Sequence, residues 1–203
     1  MKIAVLGTGR VARAIGGGLA TAGHDVAFAS RNPERQAGLP GPAVEVGAAV
    51  SDADVVVDAI PGSAVMDALR ALGTAVLAGK ILMEVANDLS PNFELNYPNG
   101  SLGAAVQGAF PQTRVVKTLN TVQAPLMANP AVLPSPSTVF LAGDDAGAKS
   151  TVATLLTDLG WEPGWHIDLG DISQARATEH FIFLSFAIAQ SLETTNVNIS
   201  VIR

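Results

Sequence analysis

A doubly wound α/β fold with a mostly parallel sheet is predicted by three observations. Short apolar runs recur along the 203-residue chain and alternate with stretches of helical period. The first run passes straight into a glycine-rich turn and an amphipathic helix. A later run, Asp54 to Ile60, is apolar almost without interruption, as expected of a strand covered on both faces.

The elements follow in order. Lys2 to Leu6 is the first strand, and Gly7-Thr8-Gly9-Arg10-Val11-Ala12 is the turn. Gly7 permits the tight exit from the strand, and Gly9 lets the backbone approach a pyrophosphate. Ala12 stands where a third glycine often lets helix and strand pack closely. Val11, Ile15, Leu19 and Ala22 then share a helix face, and Gly23 ends the helix. Gly16, Gly17 and Gly18 cost roughly 1 kcal/mol each relative to alanine in a helix, so they are expected to be close-packing positions. The free N–H groups and the dipole of this helix start favour phosphate. Together these features define a Rossmann-type dinucleotide site.

The second strand, His24 to Ala29, ends in Ser30-Arg31, with Arg35 close behind. An acid at this position would hold the ribose 2′-hydroxyl of NAD and repel a 2′-phosphate. A hydroxyl and a guanidinium fork can instead bind that phosphate through charge-assisted hydrogen bonds. Thr8 can add a second hydroxyl. NADP(H) is therefore the expected cofactor.

Further strands are expected at 44–46, 54–60, 80–85, 114–117 and 138–142, with an edge strand near 165–168. Helices are expected at 64–72, capped by Ser63, at 103–109 and at 146–159. Ser173 to Glu193 reads as one helix, apolar nearly all round, and thus buried by its own domain or by a partner subunit. Asn196 to Ile202 reads as an extended tail. The chain accordingly divides into an NADP-binding domain over 1–168 and a small C-terminal helical appendage over 169–203. Ligands of such sheets sit beyond the carboxyl ends of the strands. The informative tips are 7–12, 30–31, 60–63, 86–89 and 118–124.

Composition narrows the function classes. The net charge of −6 argues against nucleic acid and anionic membrane as partners. The absence of cysteine excludes disulfides and thiolate metal sites, and three scattered histidines supply no metal cluster. A first strand beginning at Lys2 and the lack of a long apolar span lead to the expectation of a cytoplasmic protein. No strong acid/base constellation is visible. Lys117, His166 and His180 are the candidate proton donors. Each also has a structural reading: a strand-end lysine that snorkels to water, an edge-strand histidine near Asp168, and a hydrogen-bonded histidine on a buried helix.

The segments GTGRVARAIGGGLATAGHDVAFASRNPER, VVVDAIPGSAV, RVVKTLNTVQAPLMANP, VFLAGDDAGAKSTVATLL and NVNISVIR resemble the coenzyme F420-dependent NADP oxidoreductases over nearly the whole chain. The ferric-reductase domain of a membrane metalloreductase family is similar but more distant. The resemblance implies hydride transfer by proximity between NADPH and a deazaflavin (F420) or flavin-like small-molecule acceptor, in a homodimer. Carried over residue by residue, it implies phosphate contacts at Thr8, Gly9, Arg10 and Val11. Ser30, Arg31 and Arg35 would hold the 2′-phosphate. Ile60, Pro61 and Val65 would line the adenosine or ribose side. Asn120, Thr121, Val122 and Ala124 would border the nicotinamide, and Val197 would close the pocket. Asn120 stands where certain archaeal members have histidine, and 84–88 and 179–183 also depart from the pattern. Two other readings stay open: an NADPH-dependent reductase of a small carbonyl or imine compound, and a non-catalytic NADPH-binding module that senses redox state.

Overall fold

A computed structural model describes residues 1–202. The strands are β1 (Lys2–Leu6), β2 (Asp25–Ser30), β3 (Ala43–Glu45), β4 (Val55–Asp58), β5 (Ile81–Glu84), β6 (Arg114–Thr118), β7 (Val139–Ala142) and β8 (His166–Asp168). The helices are α1 (Arg10–Thr21), α2 (Val46–Asp52), α3 (Gly62–Leu72), α4 (Thr74–Leu77), α5 (Leu102–Ala109), α6 (Ala124–Met127), α7 (Ala146–Asp158), α8 (Ala175–His180) and α9 (Ile182–Ser191).

One sheet runs in the order β3-β2-β1-β4-β5-β6-β7-β8. Every neighbouring pair is parallel except β6 and β7. The order reverses direction at β1, and Gly7 and the start of α1 lie at that switch point, where open α/β sheets bind ligands.

Two apolar cores lie on opposite faces of the sheet. Helices α1, α6 and α7 cover one, with Ile15, Leu19, Leu126, Val152 and Leu155 fully buried. Helices α2, α3, α4, α5 and α8 cover the other through Val50, Leu69, Leu77, Leu102 and Ala175. The glycines of α1 are close-packing positions as expected. A Cβ at Gly16 would sit 2.5 Å from the Phe28 ring, and one at Gly18 would meet Leu159 at 2.7 Å.

The C-terminal part departs from the sequence expectation. In place of one helix over 173–193 there are α8 and α9, separated at Phe181. Nor is α9 buried all round: Ile182 and Ser185 are buried, whereas Phe183, Leu184 and Phe186 are exposed. One side of α9 covers strand tips and the other faces a cleft. The extended tail lies along the start of β7, where Thr138 N–H donates to the Ile199 carbonyl at 2.8 Å. Asn198 Nδ2 donates to Ser137 Oγ and to the Thr138 carbonyl. Two further differences are local. The third strand is followed at once by α2, a short helix capped by the Glu45 carboxylate. Helix α3 starts at Gly62 behind Pro61, so Ser63 lies within it rather than capping it.

Candidate functional site

Gly7 leaves β1 at φ +106°, a conformation that disfavours any side chain, and a Cβ there would sit 2.9 Å from the Ala59 carbonyl. Gly9, the residue before α1, faces open space. The first N–H groups of this 12-residue helix therefore point at an unobstructed surface. Ala12 is fully buried against the sheet, as its role as a spacer requires.

Arg13 completes this half of the site, and the sequence reading did not single it out. Its Nε donates to the Thr8 carbonyl at 3.0 Å, and its Nη atoms donate to the carbonyls of Gly38 and Ala37. One guanidinium thus fixes the glycine turn to the loop after β2. That loop carries the 2′-phosphate candidates. Ser30 is buried, and its Oγ accepts from Asn32 N–H at 3.1 Å. Arg31 is exposed. Arg35 is exposed too, with its nearest carboxylate, Glu34, 3.8 Å away. Both guanidinium groups stand on the exposed segment that follows β2.

The remaining tips sort differently from the expectation. Ile60 is half-buried and Pro61 exposed at the end of β4. Val65, on the inner side of α3, is fully buried in the core and offers no surface to a ligand. Asn120, Thr121 and Val122 are also buried. Asn120 exchanges amide hydrogen bonds with Asn87: Asn87 Nδ2 donates to the Asn120 carbonyl, and Asn120 Nδ2 donates to Asn87 Oδ1. Leu119 adopts φ +57° to make this corner, a left-handed conformation costing about 1–3 kcal/mol for such a residue. Val122 packs in the core. Val197 lies against Phe181, Ser185 and Ile188. None of these four lines the large open cleft; Gln123, the next residue along, does.

That cleft, ≈ 1180 Å³ in volume, opens beside Arg10 at the start of α1. Phe93, Phe183 and Phe186 form its aromatic wall, with Gln123, Gln190 and Glu193 nearby. The Phe93 ring meets Phe183 edge-on at 5.7 Å and Phe186 at 4.9 Å between centroids. Phe93 is held at φ +62° by a tight turn in which Ser90 N–H donates to the Glu94 carbonyl and Phe93 N–H to the Ser90 carbonyl. The backbone is thus strained where it presents this ring. Partly exposed phenylalanine faces on one loop and one helix make a surface suited to a flat apolar ligand.

The proton-donor candidates lie elsewhere. His180 is exposed, with Nε2 3.2 Å from the Pro98 carbonyl, and His166 Nε2 is 3.2 Å from the Trp161 carbonyl. Lys117 does not snorkel to water. It is 1% exposed. Its Nζ is 2.6 Å from Glu84 Oε2, 2.8 Å from Glu179 Oε1 and 2.5 Å from the Ala86 carbonyl. The reason is register: Asp58, Glu84 and Lys117 occupy adjacent positions on β4, β5 and β6 and project to one face. Burial alone would push the lysine down, but the two carboxylates outweigh it and hold the ammonium above its ordinary range. Burial pushes Glu84 up, with Lys117 opposing it.

Asp58 is fully buried, and its oxygens complete no hydrogen bond. Burial, then the Glu84 charge, holds its carboxyl well above the ordinary range. The folded chain keeps this proton where the unfolded chain has released it. Stability therefore falls as pH rises from the ordinary carboxylate range through the raised one. Half-buried His166, lowered by burial, acts in the opposite sense, so the Asp58 share is read by substitution. In thermal melts Asp58→Asn is expected to raise Tm more at about pH 8 than at about pH 5, changing the gap between the two pH values. An unchanged gap would place the titration elsewhere.

A Rossmann sheet with an open glycine turn and exposed arginines beyond β2 is the architecture of a dinucleotide-binding protein, and comparison with known proteins makes the class specific. Residues 2–88 match the family "NADP oxidoreductase coenzyme F420-dependent". A solved structure from Arthrobacter sp. FB24, a candidate F420-dependent NADP reductase, is 38% identical with a TM-score of 0.93, covering 100% of both chains. Metalloreductase STEAP3 of Rattus norvegicus is 32% identical over 182 residues, 88% of this chain; the chain spans 36% of that relative's length. A Streptomyces aurantiacus imine reductase shares the fold, with a TM-score of 0.71 at 17% identity over 95% of this chain and 64% of its own. The chain belongs to the F420-dependent NADP oxidoreductase family. Among the described residues no helix is long and apolar enough to cross a membrane.

Proposed function

We propose that this protein passes hydride between NADPH and a flat, conjugated acceptor of deazaflavin or flavin type seated in the Phe93–Phe183–Phe186 cleft. One observation carries the reading: an aromatic cleft opens beside the glycine turn and is lined by neither lysine nor histidine, with Glu193 its one carboxyl group. A deazaflavin or flavin spreads incoming charge over its own ring system and requires no side-chain acid. Hydride transfer then needs only proximity and alignment, with the reacting atoms roughly 3–3.5 Å apart. The backbone amides at the start of α1 would hold the pyrophosphate, and Ser30, Arg31 and Arg35 the 2′-phosphate. Reduction of a small imine or carbonyl compound would call for a proton donor in the same place. Lys117, His166 and His180 all have other partners, away from the cleft lining.

The test is spectroscopic. Protein, NADPH and oxidised F420 should lose the deazaflavin absorbance, and flavin mononucleotide serves as the second acceptor. Phe186→Ala is expected to raise the acceptor KM by about 3- to 10-fold, the loss of an aromatic contact worth about 0.5–1.5 kcal/mol, with NADPH binding unchanged. Failure of both acceptors, with turnover of cyclic imines instead, would replace this reading by the imine reductase one.

A further inference from the structure

We propose that Lys117 and Glu179 are positioning residues that hold both walls of the acceptor cleft in register; the catalytic consequence rests on the hydride-transfer reading above. The two walls come from distant parts of the chain. Phe93 sits on the loop after β5, whereas Phe183 and Phe186 sit on α9. One buried ammonium reaches the root of each.

Toward the loop, Lys117 Nζ donates to the Ala86 carbonyl, and the next residue, Asn87, is locked to Asn120. Toward the helix, Lys117 pairs with Glu179 in the last turn of α8. Glu179 is fully buried, and its two oxygens accept from the N–H groups of Leu102 and Gly103 at 2.8 and 3.1 Å, at the start of α5. Phe183 follows four residues later. Beyond this clamp α9 is lightly held. Ile182 and Ser185 are its buried residues, and Ser185 Oγ donates to the Thr121 carbonyl at 3.3 Å. A buried ion network is poor evidence for stability, because desolvation offsets its attraction, but it fixes geometry where apolar packing is sparse. Two carboxylates are aimed at this lysine, Glu84 from β5 and Glu179 from α8, with the protonated Asp58 of β4 beside Glu84.

Glu179→Gln separates this role from general destabilisation. Glutamine keeps the volume but turns an amide donor toward the ammonium or the α5 amides. NADPH affinity, read by fluorescence titration, should stay within about twofold, while the KM for flavin mononucleotide or F420 rises about tenfold or more with kcat less affected. Hydrogen exchange should accelerate in residues 90–96 and 182–191 and remain unchanged in the turn at 7–12. If the single variant does not fold, the charge-free combination Lys117→Met, Glu84→Gln and Glu179→Gln keeps the volume and should show the same loosening of both walls. A folded variant with wild-type exchange at both walls would overturn the proposal. So would a parallel loss of NADPH and acceptor binding. Should the wild type turn over no flat acceptor, the proposed function fails, and the exchange rates still decide the clamp.

Discussion

Lys117→Met is expected to lower the unfolding free energy by about 3–5 kcal/mol, the cost of removing one partner from a buried ion network. The methionine fills most of the space, so the loss is electrostatic. Glu84 and Glu179 would face each other with no cation between them, and the Ala86 carbonyl would lose its donor. Asp58, on the neighbouring strand, adds a third carboxyl to the same dry region. Pairing the substitution with Glu179→Gln should recover part of the loss, because one of the stranded charges goes with it. Denaturant melts of the single and double variants measure both effects. A single variant within about 0.5 kcal/mol of wild type, the range of ordinary surface substitutions, would mean that the network is already neutralised in the folded state.

Arg31→Ala is expected to weaken NADPH by roughly 10- to 150-fold, the equivalent of about 1.5–3 kcal/mol for a hydrogen bond to a charged group. NADH lacks the 2′-phosphate, and its affinity should hardly move. The selectivity arises because Arg31 is exposed at the β2 tip while Ser30, buried beside it, fixes the local turn through Asn32. Arg35, also exposed and 3.8 Å from Glu34, is the second cation expected to limit the loss. Titration of both nucleotides into wild type and variant gives the ratio directly. Equal weakening of NADPH and NADH would mean that Arg31 shapes the loop and does not touch the phosphate.

The β1–turn–α1 unit was legible because its determinants are local: an apolar strand, two glycines and a helix period within 22 residues. The sheet was legible for a similar reason, since each buried strand ends at a turn residue. Helix α2 was not, because Gly47, Ala48 and Ala49 give it little amphipathic signal. The break at Phe181 carries no sequence signal, because apolar residues continue through it. Their burial differs only in three dimensions, where one side of α9 meets Thr121 and the other borders the cleft. The Lys117 network joins positions 84, 117 and 179, too far apart for any spacing rule. A faint signal existed: Asp58 and Glu84 each end a short apolar strand, and Lys117 stands one residue from the end of β6. Charges at matching heights on adjacent parallel strands must meet or be neutralised. The resemblance sets residues 120–122 at the nicotinamide, and in the structure their side chains are buried beneath α9 and the Asn87 pairing.

Direct hydride transfer across the cleft can be followed with an isotope. NADPH carrying deuterium at both C4 positions would be mixed with the protein and an oxidised deazaflavin, whose reactive carbon retains the hydrogen it receives. Mass spectrometry of the reduced acceptor should then show one deuterium per molecule. A reduced acceptor carrying only solvent hydrogen, or an acceptor left oxidised while NADPH remains tightly bound, would contradict it.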